Sequence, residues 1–265
     1  MKLVPLAALV LASIVAPGCN GKGGGTRPYP QPTVEQILGR LAQDRAARTG
    51  FSAESTMDYW INNQRVKGTV LVMGTTGKRV RFNALSPAGG NVLADMACDG
   101  TNFAFVDQQK NCQLTGPCNR SSIASLLGVE LEPEDFLALA LGTPPVLEGA
   151  TGTLEWDSKN GYEKVKLQGA GGTQTLTIDA RDGRSDVIAS ELRDPSGKVV
   201  WSVENADFEI SKDAAGKDYR LPTKTRFKSP RQNADLLVEW GERVVNPTID
   251  PAKFSVPIPE GLPRC

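Results

Sequence analysis

The sequence predicts a mainly β (α+β) chain: one large curled antiparallel sheet, covered by an N-terminal helix and a mid-chain helical pair. Three observations carry this expectation. Apolar and polar residues alternate with period two through most of residues 50–245, the signature of strands with one buried face. Asp99-Gly100, Asn160-Gly161 and Asp182-Gly183 sit between alternating runs, and such pairs are the strongest short-range hairpin signal. Helical periodicity is confined to residues 34–48 and 120–142.

The first helix is expected from Val34 onward. Val34, Ile37, Leu38, Leu41 and Ala42 recur at helical spacing opposite Glu35, Arg40, Asp44 and Arg45. Thr33 with Gln36 forms a capping box, and Gly50 stops the helix. A first ladder of strands follows: "FSAESTMDYWI", an Asn62-Asn63 turn, "RVKGTVLVMG", "RVRFNALS", "VLADMAC" and "TNFAFVD". "NRSSIASLLG" and "EPEDFLALALG" then read as two short helices, with Pro133 suited to a first turn and Glu134 and Asp135 to the positive end of the dipole. A second ladder runs through "TGTLEWD", "YEKVKLQG", "TQTLTIDA", "DVIASELRD", "KVVWSVENADFEI", "YRLPTKTRFKS" and "ADLLVEWGERVV". That is roughly eleven or twelve strands in one meander, with no second domain.

The alternation shows which face is apolar. Val80, Phe82 and Ala84 oppose Arg79, Arg81 and Asn83; Val199, Trp201 and Val203 share a face; Phe227 opposes Lys224, Arg226 and Lys228; Leu236, Val238 and Trp240 form a last row. A sheet this wide buries its apolar face by curling and by being covered. Three short helices leave room for unfilled volume, and the mouth of such a half-barrel suits an apolar ligand. Candidate cavity residues are Val80, Phe82, Phe103, Phe105, Val199, Trp201, Phe227, Leu236, Val238 and Trp240. Burial as plain core explains the same residues, and both readings stay open at this stage.

The chain has 265 residues with 30 acidic and 30 basic side chains and no histidine. Balanced charge supplies no long-range field for nucleic acid, and the absence of histidine removes the commonest general base and most zinc chemistry. The residues Glu130, Glu132, Glu134 and Asp135 read as a solvated loop and a helix N-terminus rather than a carboxylate site. No catalytic constellation, cofactor or metal is expected.

Lys2 and the apolar stretch Leu3–Ala16 form a signal segment too short to span a bilayer. The sequence Ala16-Pro17-Gly18-Cys19 resembles the bacterial lipobox, whose cysteine is acylated and becomes the first mature residue; an ordinary secretory signal is the alternative, and export follows from either. The expected organisation is therefore a signal peptide at 1–18, lipidated Cys19 with a Gly/Pro-rich tether at 19–33, and one domain at 34–265. Four cysteines remain, Cys98, Cys112, Cys118 and Cys265. In an exported chain they suggest two disulfides, for which three pairings exist. "QLTGP" between Cys112 and Cys118 reads as a turn, so a local Cys112–Cys118 bridge with Cys98–Cys265 is the pairing expected.

The run "RVRFNALSPAGGNVLADMACDGTNFAFVD", the ending "AKFSVPIPEGL" and the mid-chain "LLGVELEPEDFLALALGTPP" resemble the LolA/LolB lipoprotein-localisation carriers and related lipoproteins. The resemblance covers most of residues 33–262. It implies an incomplete β-barrel of about eleven strands with a helical lid over a cavity for acyl chains. It also implies a membrane-anchored, non-catalytic role facing the periplasm, with lipid or lipoprotein acyl chains as cargo and an envelope protein as a possible partner. Asn20 after Cys19 leans towards the outer membrane. Where LolB carries an exposed leucine in the loop after its third strand, "SPAGG" here offers Ala88, so membrane insertion by that loop is not expected.

Overall fold

The structure is a computed structural model that describes residues 25–61, 64–87, 90–127 and 131–265. The signal segment, Cys19, Ala88 and Glu130 lie outside the described residues.

Helix α1 (Val34–Ala47) opens with the expected box: Thr33 accepts from the Gln36 amide, and the Gln36 side chain accepts from the Thr33 amide. Six strands follow, β1 (Gly50–Ile61), β2 (Gln64–Thr75), β3 (Arg79–Leu85), β4 (Val92–Asp99), β5 (Asn102–Asp107) and β6 (Cys112–Pro117). After α2 (Arg120–Leu127) and α3 (Pro133–Ala140) come β7 (Thr151–Asp157), β8 (Tyr162–Gly169), β9 (Gly172–Asp179), β10 (Asp186–Arg193), β11 (Val199–Lys212), β12 (Asp218–Ser229) and β13 (Ala234–Val245). All thirteen form one sheet in the order β6-β5-β4-β3-β2-β1-β13-β12-β11-β10-β9-β8-β7, with antiparallel neighbours throughout.

This topology decides where the helices go. The chain starts at the centre of the sheet, walks out to one edge at β6, restarts at the opposite edge at β7 and walks back until β13 pairs with β1. The segment 118–150 must therefore cross from edge to edge, and it does so on the concave side. There α3 is more than a cover. Pro133 and every residue from Phe136 to Ala140 are buried, and a helical segment apolar on all sides, as 136–140 is, belongs inside a core. Helix α1 serves the other wing, where Ile37 and Leu41 pack on Val165, Leu167, Leu176 and Ile178.

Four expectations of the fold need correction. The strand count is thirteen, because "CQLTGP" is strand β6 rather than a turn. Cys112 and Cys118 thus stand about 20 Å apart at roughly 3.3 Å per residue, beyond any disulfide. The bridges are Cys98–Cys118, which ties β4 to the entry of α2, and Cys112–Cys265, which ties β6 to the C-terminus. Nor is the convex face uniformly wet: Val256 and Leu262 pack on Ala97, Ala104 and Val106. The C-terminal segment then lies along the edge of β6, with the Gln113 amide donating to Pro263 O (2.8 Å) and the Cys265 amide to Gln113 O (3.0 Å). This covers an open sheet edge, where unpaired backbone otherwise recruits other chains.

Finally, the segment expected to be tether is docked from residue 25 onward. The Gly25 amide donates to Ser158 O (2.9 Å), Trp156 Nε1 donates to Gly25 O (2.9 Å), and Arg27 makes a bidentate pair with Glu163 at 2.7 and 3.1 Å. Non-reducing peptide mapping of the oxidised protein should recover Cys98–Cys118 and Cys112–Cys265 peptides. Recovery of a Cys112–Cys118 peptide would contradict the strand assignment of β6.

Candidate functional site: a plugged half-barrel chamber

The concave wall of β1–β5 and β11–β13 carries most of the sequence-identified apolar row. Val80, Phe82, Phe103, Phe105, Phe227, Leu236, Val238 and Trp240 are buried in one cluster, and Trp201 packs partly buried against it. Val199 is the exception. The pairing of β10 with β11 shifts between Leu192/Trp201 and Arg193/Val199. This bulge inserts an extra residue and breaks the alternation. Val200, not Val199, joins Trp201 at the chamber, and Val199 lies half-buried outside the cluster.

On β1 and β3 this wall is in contact with α3 rather than with empty space. Phe136 lies against Phe82 with ring centroids 4.6 Å apart and near Phe51 at 6.4 Å; Phe51 meets Trp240 edge-on at 5.9 Å. Leu137, Leu139 and Leu141 complete the filling. What remains open is a cavity of about 270 Å³ beside α3, with Leu131, Trp201, Phe227 and Leu192 on its apolar side and Asp135, Gln174 and Arg231 among its polar lining. That is slightly under the range of about 300–1,000 Å³ typical of small-molecule pockets. In this conformation the chamber is closed.

Two arginines hold the plug. The last carbonyls of a helix have no partner within it, and here Arg48 Nη1 donates to Leu141 O (2.8 Å) while Arg243 Nη1 donates to Ala140 O (2.6 Å). Arg243 Nη2 donates to Pro222 O (2.6 Å), which fixes the guanidinium to β12. Arg243 is only 7% exposed, has no carboxylate within ion-pair distance among the described residues and leaves its Nε unbonded. Burial above all, with the Arg48 charge adding to it, pushes its pKa down to about 9. Its charge is compensated by carbonyl dipoles and by the face of Trp240, 5.3 Å away. A positive charge at a helix C-terminus is favourable, so the clamp has an electrostatic reason as well as a geometric one. At the other end of α3, burial raises the Asp135 pKa against the pull of Arg45, 3.8 Å away.

The wall of the β10–β13 half is fixed by a buried polar chain. Trp240 Nε1 donates to Thr225 Oγ1 (3.0 Å), Thr225 Oγ1 to Asn205 Oδ1 (3.0 Å), and Asn205 Nδ2 to Val187 O (2.9 Å). Every polar group in it is satisfied, which fixes the ring of Trp240.

Arg48, Arg243 and Phe136 were not among the residues singled out in the sequence. Arg243 interrupts "EWGERVV" on the face that its neighbours leave apolar, because the β1–β13 register shifts between Ala53 and Ser55 and turns it inward opposite Ala53. A register shift of this kind has no periodic signal. Chemically the site offers apolar volume, a helix that fills it and two donors, without a nucleophile–base arrangement. All four cysteines described are in disulfides, and among the described residues no cluster of acids or cysteines could hold a metal.

No protein-family model matches the chain, and no curated protein matches it. Solved structures do. A LolA superfamily protein from Nitrosomonas europaea superposes with a TM-score of 0.55 at 10% identity, over 85% of this chain and 99% of that one. A DUF1329 family protein from Desulfovibrio piger gives 0.53 at 15% identity, over 83% and 94%. A domain classed with outer membrane lipoprotein-sorting proteins, from Vibrio parahaemolyticus, gives 0.51 at 12% identity, over 81% and 94%. The curled open sheet with internal helices is therefore the LolA-type fold, in agreement with the resemblance read from the sequence.

Proposed function

We propose that this chain is a non-catalytic carrier of the cell envelope that takes the acyl chains of a lipid or lipoprotein into its half-barrel in place of α3. In this reading residues 1–18 direct export and an acylated Cys19 anchors the protein, facing the periplasm from the outer membrane. The observation that carries the proposal is the nature of the filling. The concave apolar wall is occupied by a two-turn helix that belongs to an edge-to-edge crossover and is tied at its end by hydrogen bonds to Arg48 and Arg243.

The energetics suit reversible exchange. Phe136, Leu137, Leu139 and Leu141 contribute about 1.5–3 kcal/mol each by burial, and an acyl chain contributes about 0.8 kcal/mol per buried CH₂. A chain of some ten methylenes therefore matches what α3 loses on leaving, so neither state is a trap. The alternative is a permanently filled half-barrel that docks an envelope protein, and the tight seating of Phe136 on Phe82 is what favours it.

Native mass spectrometry of the exported Cys19→Ser protein, purified without detergent, separates the two. An adduct with the mass of a phospholipid or an acyl species is the expected result. A bare protein that also takes up no added phospholipid rules out the carrier.

A further inference from the structure

We propose that the end of the sheet formed by the β1–β2 hairpin and the β12–β13 turn docks on an anionic phospholipid bilayer, with Trp60 placed among the headgroups. The surface is built from register. Strand β3 accompanies β2 only as far as the Val70–Ala84 pair, so Gln64–Thr69 have no partner on that side, while β1 and β13 run together to Ile61–Ala234. The hairpin thus projects about six residues, roughly 20 Å, past β3.

Its projecting part exposes two large apolar side chains among polar ones. Trp60 is 47% exposed on the convex face and Val66 is 61% exposed on the other. Cross-strand pairing sets Trp60 in a row with Lys228, Asp235 and Arg65 across β12, β13, β1 and β2. The Arg65 guanidinium lies 5.5 Å from the Trp60 ring centre while pairing with Asp58, and Arg226 pairs with Asp235.

Charge identifies the occupant. Residues 57–68 and 224–235 hold six basic side chains against two acidic ones, in a chain whose total is zero. The two acids are already paired with Arg65 and Arg226, and Lys224 pairs with Asp207. Arg231 pairs with Asp194, so Lys67 and Lys228 are the cations that add charge around an exposed indole, the combination that suits an anionic interface: tryptophan at the headgroup level and cations worth about 1 kcal/mol each near the surface. The position also has a consequence. Ser229 lines both the groove beside Trp60 and the chamber beside α3, so the docked end borders the chamber.

The docking does not depend on the carrier reading, and its test needs no cargo. The unacylated Cys19→Ser chain is mixed with vesicles of equal parts phosphatidylcholine and phosphatidylglycerol bearing brominated acyl chains, which quench tryptophan on contact. Quenching should occur at low salt, fall at least twofold in high salt, and fall at least twofold in Trp60→Phe, a surface substitution that leaves the fold intact. Equal quenching in Trp60→Phe, or equal quenching with pure phosphatidylcholine, overturns the proposal. So does a chain that self-associates through this end and shows no quenching.

Discussion

Replacing Arg27 by Met should lower stability by about 3–5 kcal/mol, the usual cost of stranding one partner of a buried ion pair. Glu163 is fully buried, on the same inward face of β8 as Val165 and Leu167, and its carboxylate meets Arg27 at 2.7 Å. Without the guanidinium, that carboxylate is left without its ion-pair partner in a wall of aliphatic side chains. The same guanidinium lies 5.2 Å from the Trp156 ring centre, and Tyr29 meets that ring edge-on at 5.9 Å. The substitution therefore also loosens residues 25–33 on the β7–β8 hairpin, leaving the Gly25 hydrogen bonds to Ser158 and Trp156 as their ties. Urea unfolding followed by tryptophan fluorescence reads the loss. The double variant Arg27→Met/Glu163→Gln should recover a large part of it, because removing both charges avoids the stranded one. A loss under about 0.5 kcal/mol in the single variant, the range of ordinary surface changes, would mean that the segment is held loosely and that the tether extends to Thr33 after all.

That segment illustrates what the sequence could and could not convey. Period-two alternation and Asp-Gly turns made twelve of the thirteen strands legible, because each depends only on residues next to it in the chain. Helix α1 was legible for the same reason, its cap and apolar stripe being local. "NGKGGGTRPYPQPT" looked like linker because its composition has no periodicity, yet from Gly25 onward it is anchored by long-range contacts, Gly25 with Ser158 and Trp156 and Arg27 with Glu163, the last pair 136 residues apart. Strand β6 was missed because "QLTGP" has turn composition, and Gly116 and Pro117 are tolerated there by its place at the edge. The disulfide pairing failed with it. Eight of the ten candidate chamber residues lie in one buried cluster, but period two cannot register a bulge, and so Val199 was placed where Val200 stands. Nor can alternation on a sheet reveal what faces it. That Phe136 fills the space opposite Phe82 follows from strand order, since only a chain that ends one ladder at one edge and begins the next at the other must cross the concavity.

Replacing Arg243 by Met should open the chamber more than it unfolds the protein. The side chain holds Ala140 O and Pro222 O, and losing such charge-assisted bonds costs about 1.5–3 kcal/mol each where the carbonyls stay buried. Two circumstances reduce the global loss. Met fills much of the same volume, and a guanidinium buried without a carboxylate is itself unfavourable, as its lowered pKa reflects. The bond to Ala140 O, however, exists only when α3 is seated, so its loss falls on the seated state alone. The equilibrium between seated and withdrawn α3 then shifts by that bond, and each 1.4 kcal/mol multiplies the withdrawn population about tenfold. Apparent affinity for a ligand that needs the vacated chamber rises by the same factor while that population remains small. Titration with an environment-sensitive apolar dye should therefore show about tenfold tighter binding in Arg243→Met. Amide exchange over Phe136–Leu141 should quicken, while the β1 and β13 amides keep their protection. Arg48→Met, which frees only Leu141 O, should move both readouts in the same direction by less. A uniformly lowered melting temperature with unchanged dye affinity and no selective exchange in α3 would show that the helix is permanent core. The half-barrel would then act through its outer surfaces.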